Sequence, residues 1–171
     1  ILTCTVLARK IMLEKALSDP YLYEGSLYIG GLDIVFSEIA LFSKIHYMNE
    51  ALSTYTFRVE SASNTKDRKR KLQFSISICD GYLYLADKYK QSQEVPILRQ
   101  HKRRDCLWLA FFEKKAVMAR EMGRFDGALS FKERILYIGA ISPIFHFLLY
   151  PFVILYQNAR KWIADRRMFS R

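Results

Sequence analysis

Apolar residues change their spacing several times along this chain, and each change proposes an element. Through residues 3–17, TCTVLARKIMLEKAL, Val6, Ile11, Leu13 and Leu17 recur among charges in a loosely helical pattern. Pro20, in the sequence SDP, ends that pattern, because the residue before a proline is driven out of the helical region. The stretch YLYEGSLYIGG then reads as irregular or extended, punctuated by Gly30 and Gly31. From Leu32 to Leu52 the period is helical again. Leu32, Val35, Phe36, Ile39, Phe42, Ile45 and Leu52 form one stripe, and Asp33, Glu38 and Lys44 mostly keep off it.

The middle of the chain alternates instead. In STYTFRVES, Tyr55, Phe57 and Val59 take turns with polar residues, as in a half-buried strand. In LQFSISICDGYLYLADKY the alternation returns at Leu72, Phe74, Ile76 and Ile78, followed by Asp80-Gly81, a dipeptide favoured in type I′ turns. Centring a hairpin there pairs Cys79 with Tyr82, Ile78 with Leu83 and Ile76 with Leu85, which puts the apolar pairs on one face. Beyond it, Asp105 suits the N-cap of a helix running to Met122, with Gly123 as its stop. Its apolar side carries Trp108, Phe111, Phe112, Met118 and Met122. RFDG makes a turn at 124–127, and Ser130 with Glu133 has capping-box spacing.

Residues 135–156, ILYIGAISPIFHFLLYPFVILY, contain no charged side chain. As one helix they would rise about 33 Å, matching a hydrocarbon core of about 30 Å. Lys132, Glu133 and Arg134 precede the run, and Arg160 and Lys161 follow it; Tyr137, Tyr156 and Trp162 lie near its ends, as interfacial anchors do. The expectation is a transmembrane helix from Ile135 to Tyr156 with Pro143, His146 and Pro151 inside it. Because each proline removes a backbone donor, a re-entrant or interfacial hairpin and a buried helix are the alternatives. Lys115, Arg120, Arg124, Lys132 and Arg134 on one side balance Arg160, Lys161, Arg166, Arg167 and Arg171 on the other, so charge sets no orientation. The architecture expected is α+β: amphipathic helices, a small antiparallel β-meander and one C-terminal transmembrane helix. Its parts are a helical segment at 1–53, the meander at 54–90, a connecting loop and amphipathic helix at 91–129, and the membrane helix with a basic tail at 130–171.

Charge narrows the partners. With 27 lysines and arginines against 17 acids, the net charge is +10, which favours an anionic surface or an acidic subunit. Lys66, Arg68, Lys69, Arg70 and Lys71 form one basic run, and Lys102, Arg103 and Arg104 a second. Either could meet anionic lipid or RNA, with Phe74, Tyr82 and Tyr84 near enough to stack bases.

Candidate chemistry is sparse. Cys4, Cys79 and Cys106 are far apart, odd in number and without zinc spacing. Phosphate-loop, dinucleotide, zinc-protease and nucleophile-elbow motifs do not occur. Cys106 beside Asp105 and near His101 lacks a third member at catalytic spacing. No enzyme and no cofactor are expected. The function expected is a non-catalytic, membrane-anchored accessory or assembly subunit of a larger membrane complex, with other protein subunits and anionic lipid as partners. A mitochondrial inner membrane suits the basic balance and a start at Ile1, which fits a removed presequence. The alternatives are an RNA-contacting component of an organellar ribosome and a lipid-binding or membrane-shaping module.

Overall fold

The computed structural model describes residues 6–26, 31–46, 65–125 and 127–169, with the side chains of Ser26, Gln157 and Asn158 and those from Arg160 onward outside the described set. Every regular element in it is a helix. No strand occurs among the described residues, so the α+β expectation is overturned. The chain divides into two compact units, Ile1–Asp105 and Cys106–Arg171.

In the N-terminal unit, α1 (Lys10–Leu17) ends at Ser18, and α2 (Pro20–Ser26) starts almost at once. Asp19 accepts a hydrogen bond from the Tyr21 amide at 2.9 Å, and Pro20 takes the first helical position, where its missing N–H costs nothing. The stretch expected to be irregular is therefore helical up to Ser26, because Asp-Pro is a start signal as well as a stop. Next comes α3 (Gly31–Phe42). The core of the unit is Ala16, Leu22, Ile34, Val35, Ile39 and Leu85.

The expected hairpin is replaced by one helix, α4 (Arg68–Lys88), capped by Asp67, whose side chain accepts from the Lys69 amide. Asp80-Gly81 lies inside it. The alternating Leu72, Phe74, Ile76 and Ile78 are each only partly buried, while Cys79, Leu85 and Ala86 are buried at helical steps. Gly81 serves a helix contact instead of a turn: a Cβ there would lie 2.6 Å from Ile34 Cγ1, so glycine lets α4 approach α3. The other expected strand, at Tyr55, Phe57 and Val59, lies outside the described residues.

Helix α5 (Val95–Glu113) runs through both RQHKRR and Asp105, so that segment is not a loop and Asp105 is no cap. It stops where Lys114 turns left-handed at φ 55°, with the Lys115 amide bonded to the Ala110 carbonyl at 2.9 Å. Two helices follow, α6 (Ala116–Gly123) and α7 (Phe131–Ile141). The latter opens on a capping box. The Glu133 amide donates to Ser130 Oγ, and the Ser130 amide donates to Glu133 Oε2 at 2.8 Å. Leu107, Ala110, Phe111, Ala119, Leu136 and Ala140 form the core of the C-terminal unit.

The single transmembrane helix is overturned as well. Ser142 is extended (φ −104°, ψ 118°), as the residue before a proline tends to be, and α8 (Pro143–Phe169) begins after it. The uncharged run is thus two helices folded against each other. A Cβ on Gly139 would lie 3.5 Å from Leu149 Cδ1, whereas one straight helix would hold residues ten apart at about 15 Å. The uncharged part of α8 up to Tyr156 rises about 21 Å, and that of α7 about 10 Å, against about 30 Å of hydrocarbon. Among the described residues no helix is long and apolar enough to cross a membrane.

Candidate functional site

Two features of the structure go beyond ordinary packing, one in each unit. The first is the outward side of α8. Its inward side carries His146, Leu149 and Val153, stepped by three and four residues against the core of the C-terminal unit. Yet Ile144, Phe147, Phe152 and Leu155, on the opposite side, are 73%, 81%, 71% and 69% exposed. A helix with one side in a core normally turns polar residues outward. Here the outward side is as apolar as the inward one, and Phe145, Leu148 and Tyr150 widen it. Pro151, inside the helix, has no N–H to give the preceding turn.

His146 anchors the inward side. Its ring centroid lies 4.7 Å from that of Phe111 and 5.4 Å from that of Tyr150, and its Nδ1 is buried without a partner. Burial, joined by the Lys114 charge, holds its pKa below the ordinary value against the opposing Gly139 backbone hydrogen bond. A neutral imidazole in an aromatic setting results.

The other expected membrane residues are dispersed. Ile135 is half-buried on α7, and the half-buried Tyr137 packs beside Gly123, its Cε2 2.5 Å from where a Cβ there would sit. Pro143 and Tyr156 are exposed on α8. Arg160, Lys161 and Trp162 continue the α8 backbone, with side chains outside the described residues. The basic runs do not make a single patch. Lys66 is exposed ahead of α4, and Arg68, Lys69, Arg70 and Lys71 form its first turn. Consecutive positions on α5 point Lys102, Arg103 and Arg104 in different directions: Lys102 pairs with Asp80 at 2.5 Å, Arg103 is buried, and Arg104 Nε lies 3.3 Å from Asp105. Two of the three rings suggested for base stacking are engaged by neighbours, Tyr82 beside Ser37 and Tyr84 on Asp19, and Phe74 is half-buried on α4.

The second feature is a polar cluster in the N-terminal unit. Lys88 Nζ lies 2.5 Å from Asp19 Oδ2 and 2.6 Å from Glu38 Oε1. Tyr89 donates to the same Glu38 oxygen at 2.7 Å, and Tyr84 donates to Asp19. The group joins the α1–α2 corner, α3 and α4, with Tyr21 stacked on Tyr84 at 4.1 Å. Burial opposes the Asp19 charge, but donors from Lys88, Tyr84 and Tyr21 outweigh it and hold the carboxyl below its usual range. The bond to Asp19, with burial added, pushes the Tyr84 phenol up to about 12. Burial likewise opposes the Lys88 charge, and the two carboxylates overcome it and raise its pKa.

Glu38, expected on the solvent side, is only 2% exposed. The signal was present, since Glu38 is four residues after Ile34 and three after Val35, within the stripe itself. Of the cysteines, Cys4 lies outside the described residues. Cys79 and Cys106 are buried, and burial, with Asp105 and Asp80, pushes the Cys79 thiol up. Asp105 accepts from Ser75 Oγ at 2.6 Å, and His101 is exposed. No group of three potential metal ligands occurs among the described residues. No family model, curated protein or solved structure matches the chain.

Proposed function

We propose that this protein is a non-catalytic accessory component of a membrane-bound assembly, held to an anionic lipid surface by the outward side of α8. The observation that carries this reading is the exposure of Ile144, Phe147, Phe152 and Leu155 on a helix whose other side is already packed. An apolar helix face of about 21 Å is too short to cross a bilayer but suits a helix lying in the headgroup boundary. Exposed Lys132 and Arg134 at the start of α7, together with the net charge of +10, complement anionic headgroups, each nearby cation adding about 1 kcal/mol. An organellar inner membrane, with its anionic lipid, is the proposed setting, and the remaining surface would meet neighbouring subunits.

Flotation with vesicles tests this directly. The full chain should float with phosphatidylcholine–phosphatidylserine vesicles, and less with phosphatidylcholine alone. Replacing both Phe147 and Phe152 by Asp should cut binding at least about tenfold with the circular dichroism unchanged, since burial of a phenylalanine is worth about 1.5–3 kcal/mol. Alkaline extraction should release the bound chain. Failure to float, or equal flotation of the double variant, would overturn the proposal; a chain that instead elutes as a dimer would assign the face to self-association.

A further inference from the structure

The side of α8 that packs inward carries a titratable group the fold leaves unsatisfied. His146 is 7% exposed, and its Nδ1 has no hydrogen-bond partner. A neutral imidazole there leaves one acceptor unmet, whereas a protonated one brings a second N–H with no acceptor in place. The groups facing the ring belong to three helices. From α5 they are the Phe111 ring and the Lys114 charge, from α7 the Gly139 backbone that bonds it, and from α8 itself the Tyr150 ring. No carboxylate is among them, so an imidazolium would meet Lys114 with nothing to offset the repulsion. The tilted rings of Phe111 and Tyr150 attract a cation only weakly and do not replace the water it gives up.

The helix bearing His146 is joined so that it can turn as a piece. Ser142 is the one residue outside the helical region between α7 and α8. Beyond His146, the inward side of α8 is held by Leu149, against Gly139, and by Val153. A turn about Ser142 takes His146 out of its aromatic setting. On an anionic surface the same turn adds Leu149 and Val153 to the apolar area in contact with lipid, and it brings the imidazolium to phosphate oxygens that accept its N–H groups. The packed helix favours the neutral ring and the lipid-laid helix favours the charged one, so falling pH moves α8 from core to lipid. We infer that His146 is an acid trigger for lipid attachment: once protonated, it frees α8 from the core of the C-terminal unit, and the helix settles deeper in an anionic headgroup layer. The inference rests on the lipid reading of the outward face and adds the regulation of that face.

Flotation of the full chain with phosphatidylcholine–phosphatidylserine vesicles at about pH 7.5 and about pH 5.5, on either side of the ordinary histidine range, decides it. Binding should strengthen about fivefold at the lower pH, the gain that one added cation brings at an anionic surface. His146→Phe keeps an aromatic ring and should bind equally at both. Lys114→Met removes the like charge facing the ring, so the same step should appear at higher pH. Equal binding of the unaltered chain at both pH values overturns the inference and leaves lipid attachment standing; no flotation at either overturns both. An acid step that persists in a folded His146→Phe chain also overturns it. Should that variant not fold, a step that Lys114→Met leaves in place overturns it.

Discussion

In the N-terminal unit, Lys88, Asp19 and Glu38 occupy ground between helices that apolar side chains could have filled, and the hydrophobic core lies beside them. In the C-terminal unit the helices meet through Phe111, Leu136 and Ala140, the one buried histidine is neutral, and the unmet demand is on the outside of α8. The first unit buries a paired cluster of charges beside its core, and the second lines up exposed apolar side chains along one side of α8. The contrast teaches that burial and polarity are separate choices. Ion pairing secures helix placement where donors and acceptors match, while an apolar exterior adds nothing to the fold and so points to something outside it.

The largest effect that would break this contrast comes from Lys88→Met. It leaves Glu38 buried with an uncompensated charge and should destabilise the N-terminal unit by about 2–4 kcal/mol, somewhat below a fully buried pair because Lys88 is partly solvated. Both tryptophans, Trp108 and Trp162, belong to the C-terminal unit, so their emission follows that unit alone. Denaturant melts should show helicity lost earlier by circular dichroism, with the tryptophan transition unmoved. Equal displacement of both signals would mean that the units unfold as one and the contrast has no energetic meaning.

Acid titration separates the units more gently. His146 has a lowered pKa in the folded chain, so on unfolding it gains affinity for protons; the stability it contributes is present above 6.5 and fades as pH falls below that value. Asp19 is also lowered, but from 3.8, so its contribution persists to a more acidic range and fades only as pH falls below 3.8. The alkaline side reverses for Tyr84 and Lys88, both raised, whose contributions are complete below their ordinary values of 10.0 and 10.5 and decline above them. Tryptophan emission should therefore report weakening of the C-terminal unit below pH 6.5 before dichroism reports the N-terminal unit, and a His146→Phe chain should lose the earlier change.

The smallest effect sharpens what the units share. Lys90 ends α4 and Lys114 ends α5 in the left-handed region, both at φ 55°, with the Gln91 and Lys115 amides bonded back to Ala86 and Ala110. Glycine at either place relieves about 1 kcal/mol of backbone cost and gives up a cation that suits a helix C-terminus, a net gain of about 0.5 kcal/mol. Melting each variant should show this small stabilisation, and a loss would show that the lysine charge dominates.

Local signals in the sequence were legible where a single residue decides the outcome. Ser130 and Glu133 form their capping box, whereas Gly123 is the last residue of α6 and not its cap, a place that Arg124 takes. Signals that compete were misread. Asp80-Gly81 carries turn chemistry, but α4 has apolar residues on nearly every side, so period two and period 3.6 fit equally well, and only the contact of Gly81 with Ile34 decides. Asp105 has the chemistry of a cap, yet its carboxylate is used by Ser75, thirty residues away in sequence. The run from Ile135 to Tyr156 has the composition of a span, and one extended residue before Pro143 makes it two short helices. Of the candidate sites, the apolar residues of α8 were marked in the sequence, but which of them face outward follows from packing on α7. The Lys88 cluster depends on pairings 50 and 69 residues apart, which no local pattern encodes.

The exposed side of α8 also bears on what happens between synthesis and docking. Until it is covered, that face meets any other apolar surface, including the same face on another copy. Pairing of two copies rises with the square of protein concentration, whereas capture by a lipid surface in excess is first order in protein. The ratio of chain to available surface, more than the affinity for either, then decides whether Phe147 and Phe152 end up docked or in an aggregate.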